Sequence, residues 1–386
     1  MNIRPLALVL WSFAAGCSPA PIPSPEAAPS PAPAIASPAP PKPDTPTISP
    51  YVDALYAELA EANSLTLEPR LQQSAERALA ANGRAGAVVA LDPRDGRVLA
   101  LYSVPGDRGD PLRVPHQPAS TIKSFSAIAA LQAGTIQPDT TLSCTGTYAF
   151  ANLQLTCPGN HGSENVSRAL AVSCNVFFYE LTAKQGPEPL LSVARAFGFA
   201  ERTGIELDDQ AGELGDGGVD PAQPALALLN AIGHGNTEVS LLGLARAYAA
   251  IANGGTLVTL HLTTGRTLAV RRVPYPEATL SLVREALRDG VDNDYGRAHA
   301  LAIDGYPFAG KTGGVDAPAR EGSPGDASID TWFVAFAPPT EPEVLIAGRV
   351  ERVPLGAALS AGAGPVVREV LESAAALKGA WRVGQR

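Results

Sequence analysis

Residues 18 to 46 read SPAPIPSPEAAPSPAPAIASPAPPKPDTP, and no other stretch limits the folding of this chain more. Proline fixes φ and lacks a backbone N–H, so a run this dense supports neither a helix ladder nor a sheet ladder. It also offers few apolar side chains to bury. Residues 18–50 are therefore expected to form a partly extended tether. The folded part of the 386 residues then begins close to Tyr51. That remainder is long enough for one large domain or two modest ones. A formal net charge of −9, a pI of about 5.2 and the lack of a basic stripe exclude nucleic acid as a partner.

Upstream of the tether, MNIR supplies one positive charge and PLALVLWSFAAG a short apolar run that ends at Cys17. The run is far shorter than the ~20 apolar residues of a spanning helix. Small residues ending at a cysteine, AAGC, resemble a bacterial lipoprotein signal over residues 1–17, with Cys17 as the lipidated residue. An ordinary secretory signal is the alternative. Both predict export to the periplasm or cell envelope, and the first predicts a lipid anchor in the membrane.

Residues 51–65 read as a short helical lead-in and 66–380 as the main domain. YVDALYAELAEA and EPRLQQSAERALAA carry apolar residues at helical spacing. GAVVALDPRDGRVLALYS sets two β-branched runs about a turn signal, a β-hairpin. Residues 119–133 are expected to be helical, stopping at Gly134. The middle, about 160 to 300, reads as helices broken by Gly-rich loops, with LLGLARAYAAIANGG the clearest helix. Near the end, YPFAGKTG, TWFVAFAP and EVLIAGRV read as strands, the last two antiparallel neighbours, and PVVREVLESAAALKG as a closing helix. Strands at both ends with helices between them predict one mixed sheet completed by the N-terminal hairpin. GGVDAPAREGSPGDASID, residues 313–330, is too polar for a core and long for a hairpin loop.

Three short patterns carry the chemistry. Ser120 and Lys123 stand at i and i+3, which puts a hydroxyl and an amine on one helix face. A serine becomes nucleophilic when a nearby base takes its proton, and a buried lysine can be neutral enough to serve. Ser173 and Asn175 flank Cys174 just before an aromatic run, and Lys311-Thr312-Gly313 ends a predicted strand. Each pattern alone is weak. Together and in this order they are the signature of penicillin-binding proteins and serine β-lactamases.

The chain resembles the transpeptidase domain of a class B penicillin-binding protein of the elongation type. The resemblance runs from about Thr66 to Ala376 and is carried by PASTIKSFSAIAALQAG, HGSENVSRALAVSCNVFFYELTAKQG, AIGHGNTEVSLLGLARAYAAIANGG, YPFAGKTGG and TWFVAFAP. It implies an α/β fold of the penicillin-binding protein and serine β-lactamase type: a mainly antiparallel sheet flanked by helices, with a helical subdomain. It implies that Ser120 attacks the penultimate D-alanine carbonyl of a peptidoglycan stem peptide and that Lys123 takes its proton. By the same resemblance Ser173 relays a proton to the leaving group and Asn175 binds the peptide amide. Lys311 and Thr312 hold the substrate carboxylate, and the N–H groups of Ser120 and Gly314, next to Gly313, form the oxyanion hole. β-Lactam antibiotics would acylate Ser120. Two departures stand out. The family usually has Thr or Ser where this chain has Gly314, and members usually carry a pedestal domain where this chain has its tether. The expectation is thus a stand-alone, lipoprotein-like form whose contacts with cell-wall synthesis partners are in doubt. The rivals are a β-lactamase, with Glu206 or Glu213 activating water, and a non-catalytic β-lactam sensor or scaffold.

The remaining cysteines fall together with a histidine: Cys144, Cys157, His161 and Cys174, spaced Cys-x12-Cys-x3-His-x12-Cys. Three thiolates and an imidazole complete a tetrahedral set for one structural zinc ion per chain. Some elongation-type members resemble this, with carboxylates where two of the cysteines stand. A Cys144–Cys157 disulfide with Cys174 free, or three free thiols, are the alternatives in an oxidising compartment.

Overall fold

The computed structural model describes residues 50–59, 65–215, 223–265, 269–317 and 327–377. The expected signal with Cys17, nearly all of the tether, and residues 318–326 of the polar connection lie outside them. Among the described residues no helix is long and apolar enough to cross a membrane.

The expected strands form one five-stranded sheet, but it is antiparallel throughout rather than mixed, because the chain enters the C-terminal strands as a meander and the N-terminal hairpin joins it antiparallel to its last strand. Its strands are β1 (Gly86–Leu91), β2 (Val98–Val104), β3 (Ala309–Asp316), β4 (Ser328–Ala337) and β5 (Val344–Pro354). Their order is β2-β1-β5-β4-β3, so the N-terminal hairpin completes the C-terminal meander. In the hairpin turn, Gly96 donates to the Asp92 carbonyl, and the buried Asp92 carboxylate pairs with Arg97.

Every residue of β1 is buried because both sheet faces are covered. Side chains alternate between the faces. Val88, Ala90, Phe333 and Ile346 join a core closed by helices α1 (Pro69–Asn82) and α6 (Ala363–Leu377). Val89, Leu91, Val334 and Leu345 join a larger core under the helical part of the chain. That part includes α2 (Lys123–Gln132), α3 (Asn175–Gln185), α4 (Leu241–Ala252) and α5 (Glu277–Asp292). All twelve residues of α4 are buried, so it is the spine of the second layer. Its start is capped by Ser240, whose Oγ accepts the Gly243 N–H at 3.0 Å.

Two local readings are corrected. Residues 119–133 are not one α-helix: Ala119–Ile122 is a 3-10 turn and α2 starts at Lys123. Second, the cysteine segment, which carries no strong periodicity, holds two small antiparallel pairs, Leu142–Cys144 with Gly162–Glu164 and Thr147–Phe150 with Leu153–Thr156. Such short strands have too few residues to show a period-2 pattern.

Candidate active site

The 3-10 turn that carries Ser120 is held from three sides. Ala119 N–H donates to the Gly233 carbonyl at 3.1 Å, Thr121 Oγ1 donates to Pro118 O at 2.6 Å, and Tyr248 OH of α4 donates to Thr121 O at 2.6 Å. Gly233 has φ +78, and a Cβ there would lie 2.1 Å from the Ala119 carbonyl oxygen. Ala119 (φ +51) and Ser173 (φ +61) occupy the left-handed region, which costs a non-glycine residue about 1–3 kcal/mol. Both lie at the cleft, one beside the nucleophile and one in the doublet.

All three motifs meet there. Ser120, Ser173, Asn175, Thr312, Gly313 and Gly314 line one cleft of about 240 Å³. Lys123 is fully buried, and its Nζ donates to Ser173 O at 2.8 Å, to Asn175 Oδ1 at 2.5 Å and to Ser173 Oγ at 3.3 Å. Lys311 Nζ reaches the same Ser173 Oγ at 2.9 Å from β3 and also donates to Thr312 O at 3.0 Å. Burial pushes Lys123 down to about 7, while the neighbouring Cys157 pulls the other way. Burial, Lys123 and Arg297 hold Lys311 well below the ordinary lysine range. Thus Lys123 is substantially neutral near pH 7, as a general base must be.

β3 is one of the two edge strands of the sheet, and it comes so close to the Ser120 turn that a Cβ at Gly313 would meet Ala119 Cβ and Thr121 Cγ2 at 3.2 Å. Gly314 differs: the nearest atom to its missing Cβ is Ile329 Cδ1 at 3.5 Å, ordinary contact. Two cleft residues escaped the sequence reading. His234 lies against the Gly314 backbone, pushed down to about 4 chiefly by burial and then by Lys123. Arg297 lines the cleft from the loop after α5. His234 lies in the AIGHGNTEVS segment that carries the resemblance but was given no role there, and Arg297 belongs to none of the three motifs. The two carboxylates weighed as activators of water are elsewhere. Glu206 accepts the N–H groups of Leu262 and Thr263, and the Glu213 backbone pairs with Glu238; neither lines the cleft.

The four expected metal ligands converge beside the doublet. Their donor atoms all lie within 4.8 Å of one another. His161 Nδ1 is 3.6 Å from both Cys144 Sγ and Cys157 Sγ, and Cys157 Sγ is 3.9 Å from Cys174 Sγ. With Zn–S near 2.3 Å and Zn–N near 2.0 Å, the edges of a zinc tetrahedron are about 3.5–3.8 Å. The thiols are unbridged. Close by, Glu164 keeps both carboxylate oxygens buried without a hydrogen-bond partner, its Oε1 3.9 Å from His161 Nδ1. Thiolates, an imidazole and an orphaned buried carboxylate fit a cation.

The cluster is wired into the doublet. Cys157 Sγ accepts the Asn175 N–H at 3.1 Å, and Cys174 Sγ caps α3 by accepting the Phe177 N–H at 3.4 Å. Hydrogen bonds from Cys174 and from backbone N–H groups hold Cys157 well below the ordinary thiol range. That is the physical use of a cysteine between Ser173 and Asn175: its sulfur fixes the start of the helix that presents Asn175.

The family model described as penicillin binding protein transpeptidase domain matches residues 86–372. This chain belongs to that family. Among curated relatives, the peptidoglycan D,D-transpeptidase MrdA of Acinetobacter baumannii is 28% identical over 341 residues, 73% of this chain and 50% of that protein. The peptidoglycan D,D-transpeptidase PbpA of Mycolicibacterium smegmatis is 29% identical over 335 residues, 74% of this chain and 66% of that protein. The chain spans about half the length of the first of these relatives. Among solved structures, the D,D-transpeptidase domain of a peptidoglycan glycosyltransferase from Eggerthella lenta superposes with a TM-score of 0.71 at 25% identity, covering 82% of this chain and 83% of that one. The transpeptidase family read from the motifs is thus the right one, and the antiparallel sheet flanked by helices is the family fold.

Proposed function

We propose that this chain is a serine D,D-acyltransferase acting on D-Ala-D-Ala stem peptides of peptidoglycan, and that β-lactams acylate it covalently. The observation that carries the reading is Lys123: fully buried, pushed to about 7, and joined through Ser173 Oγ to Lys311 in the cleft that Ser120 lines. Neutral Lys123 Nζ takes the Ser120 proton as Oγ attacks the penultimate D-alanine carbonyl. The N–H groups of Ser120 and Gly314 receive the oxyanion. The C–N bond then breaks. The departing D-alanine amine gains the proton through Ser173 Oγ, leaving an ester on Ser120. Asn175 holds the peptide amide and Thr312 the substrate carboxylate. An amine from another strand completes transpeptidation, whereas water completes carboxypeptidation.

The cluster of Cys144, Cys157, His161 and Cys174 holds one zinc ion in this reading, with a purely structural contribution. The apolar run ending at Cys17 supports export to the cell envelope and attachment to a membrane through lipid. Partners in cell-wall synthesis are a further expectation of the family.

The test is incubation with a purified pentapeptide and an amine acceptor, with mass analysis of the products. A cross-linked product with release of D-alanine is expected, and D-alanine release alone would assign the carboxypeptidase. An intact pentapeptide would overturn the reading.

A further inference from the structure

The cleft needs a cation for a substrate carboxylate, and Lys311 is poorly placed to be it. Its side chain is buried, and its Nζ spends hydrogen bonds inward on Ser173 Oγ and Thr312 O. Lys123 is buried and committed likewise. Thr312 has a neutral hydroxyl, and the next family hydroxyl is missing because Gly314 stands there. Arg297 is different. Its side chain is exposed, it lines the same cleft, and no ion pair or side-chain hydrogen bond engages its guanidinium among the described residues.

Its place in the cleft is defined. The Arg297 N–H donates to Ala171 O at 2.9 Å, two residues before Ser173, and the neighbouring Ala298 N–H donates to Gly290 O at 3.0 Å. This loop is thereby pinned to the segment that carries the doublet. The guanidinium acts electrostatically on Lys123 and Lys311. The cleft's carboxylate, Asp316, is five residues beyond Lys311 on an extended strand, about 16 Å along it. Arg297 thus lines the cleft from the side of the doublet segment, together with Ser173, Thr312 and Gly313.

We propose that Arg297 is the specificity-determining residue that anchors the terminal carboxylate of the donor peptide, and the carboxylate of β-lactams, through a bidentate guanidinium–carboxylate pair. The proposal rests on the acyl-enzyme reading above. A guanidinium matches a carboxylate fork to fork and keeps its charge where a buried amine does not. An arginine here replaces both the charge that burial weakens in Lys311 and the hydroxyl that Gly314 lacks.

The experiment compares benzylpenicillin with its methyl ester, which removes the carboxylate charge. Second-order acylation constants are read by intact-protein mass spectrometry for wild type, Arg297→Gln and Arg297→Lys. Arg297→Gln should slow acylation by the free acid about 10- to 100-fold, the range for a hydrogen-bonded charge pair. It should change the ester constant less than about twofold, and this also reports that the variant is folded. Arg297→Lys should recover part of the acid preference. Equal losses for acid and ester, or an unchanged acid preference, overturn the assignment while leaving the acyl-enzyme reading intact. A wild type that forms no adduct with either compound overturns both.

Discussion

Lys123 is one turn from Ser120, yet its three hydrogen bonds in the structure go to Ser173 and Asn175. The residue is held for its basicity as much as for its reach. Its pKa sits at about 7 chiefly because burial penalises the ammonium. Since the neutral amine is the active form, acylation should rise with pH through about 7 and level off above it. Below that point it should fall about tenfold per pH unit. A penicillin acylation profile checks this, and a rate still climbing through pH 9 would mean that Lys123 titrates as an ordinary lysine. Lys123→Arg cannot act as a base at these pH values and should abolish acylation with the fold retained. The Ser120–Lys123 pair was visible in the sequence because its signal is local spacing. Arg297 and His234 were not, because they reach the cleft only when α5 and the segment after Ala231 are packed against the Ser173 region and the nucleophile turn.

At the scale of elements, the site is a junction between an edge strand, a 3-10 turn and the capped start of α3. The strands, the β1–β2 hairpin and the β4–β5 pairing were legible because β1, β4 and β5 are apolar runs bounded by turn signals, whereas the β1–β5 pairing that closes the sheet joins segments too far apart in sequence to leave a local signal. Nor was the 3-10 turn legible, since its geometry comes from contacts with Gly233 and Tyr248. Gly233→Ala tests that junction. It forces a Cβ onto the Ala119 carbonyl at a left-handed φ and should cost about 1–3 kcal/mol of stability. Acylation should fall further than the melting shift explains, because the Ser120 turn is what moves. Unchanged acylation in a stably folded variant would separate Gly233 from the nucleophile. The spacing of the cysteine segment pointed to the convergence of Cys144, Cys157, His161 and Cys174, but not to its small β-pairs. His161→Ala should lower zinc content from about one per chain and slow Ser120 acylation with it, because Cys157 and Cys174 hold the backbone of α3 at Asn175 and Phe177. Metal analysis of untagged protein reads the first effect. Full acylation by metal-free protein would contradict the second.

Across the whole molecule, the sheet separates two cores and carries one buried charge network between its central strands. Arg349 of β5 pairs with Asp330 at 2.7 Å and with Glu351, over the Trp332 ring at 5.4 Å. Arg349→Met would leave two buried carboxylates without their cation, at a cost of about 3–5 kcal/mol. Thermal unfolding should fall by several degrees, and a melt within experimental error of wild type would show the network to be dispensable. The sheet matters to function because β4 and β3 set where Lys311 and Thr312 meet the helical part. The central claim, that this assembled cleft makes Ser120 a nucleophile, is tested most directly by peptide mapping of the penicillin-treated protein. A penicilloyl adduct on Ser120, absent from Ser120→Ala, is the predicted result. An adduct on another residue, or an unmodified wild type under saturating penicillin, would contradict it.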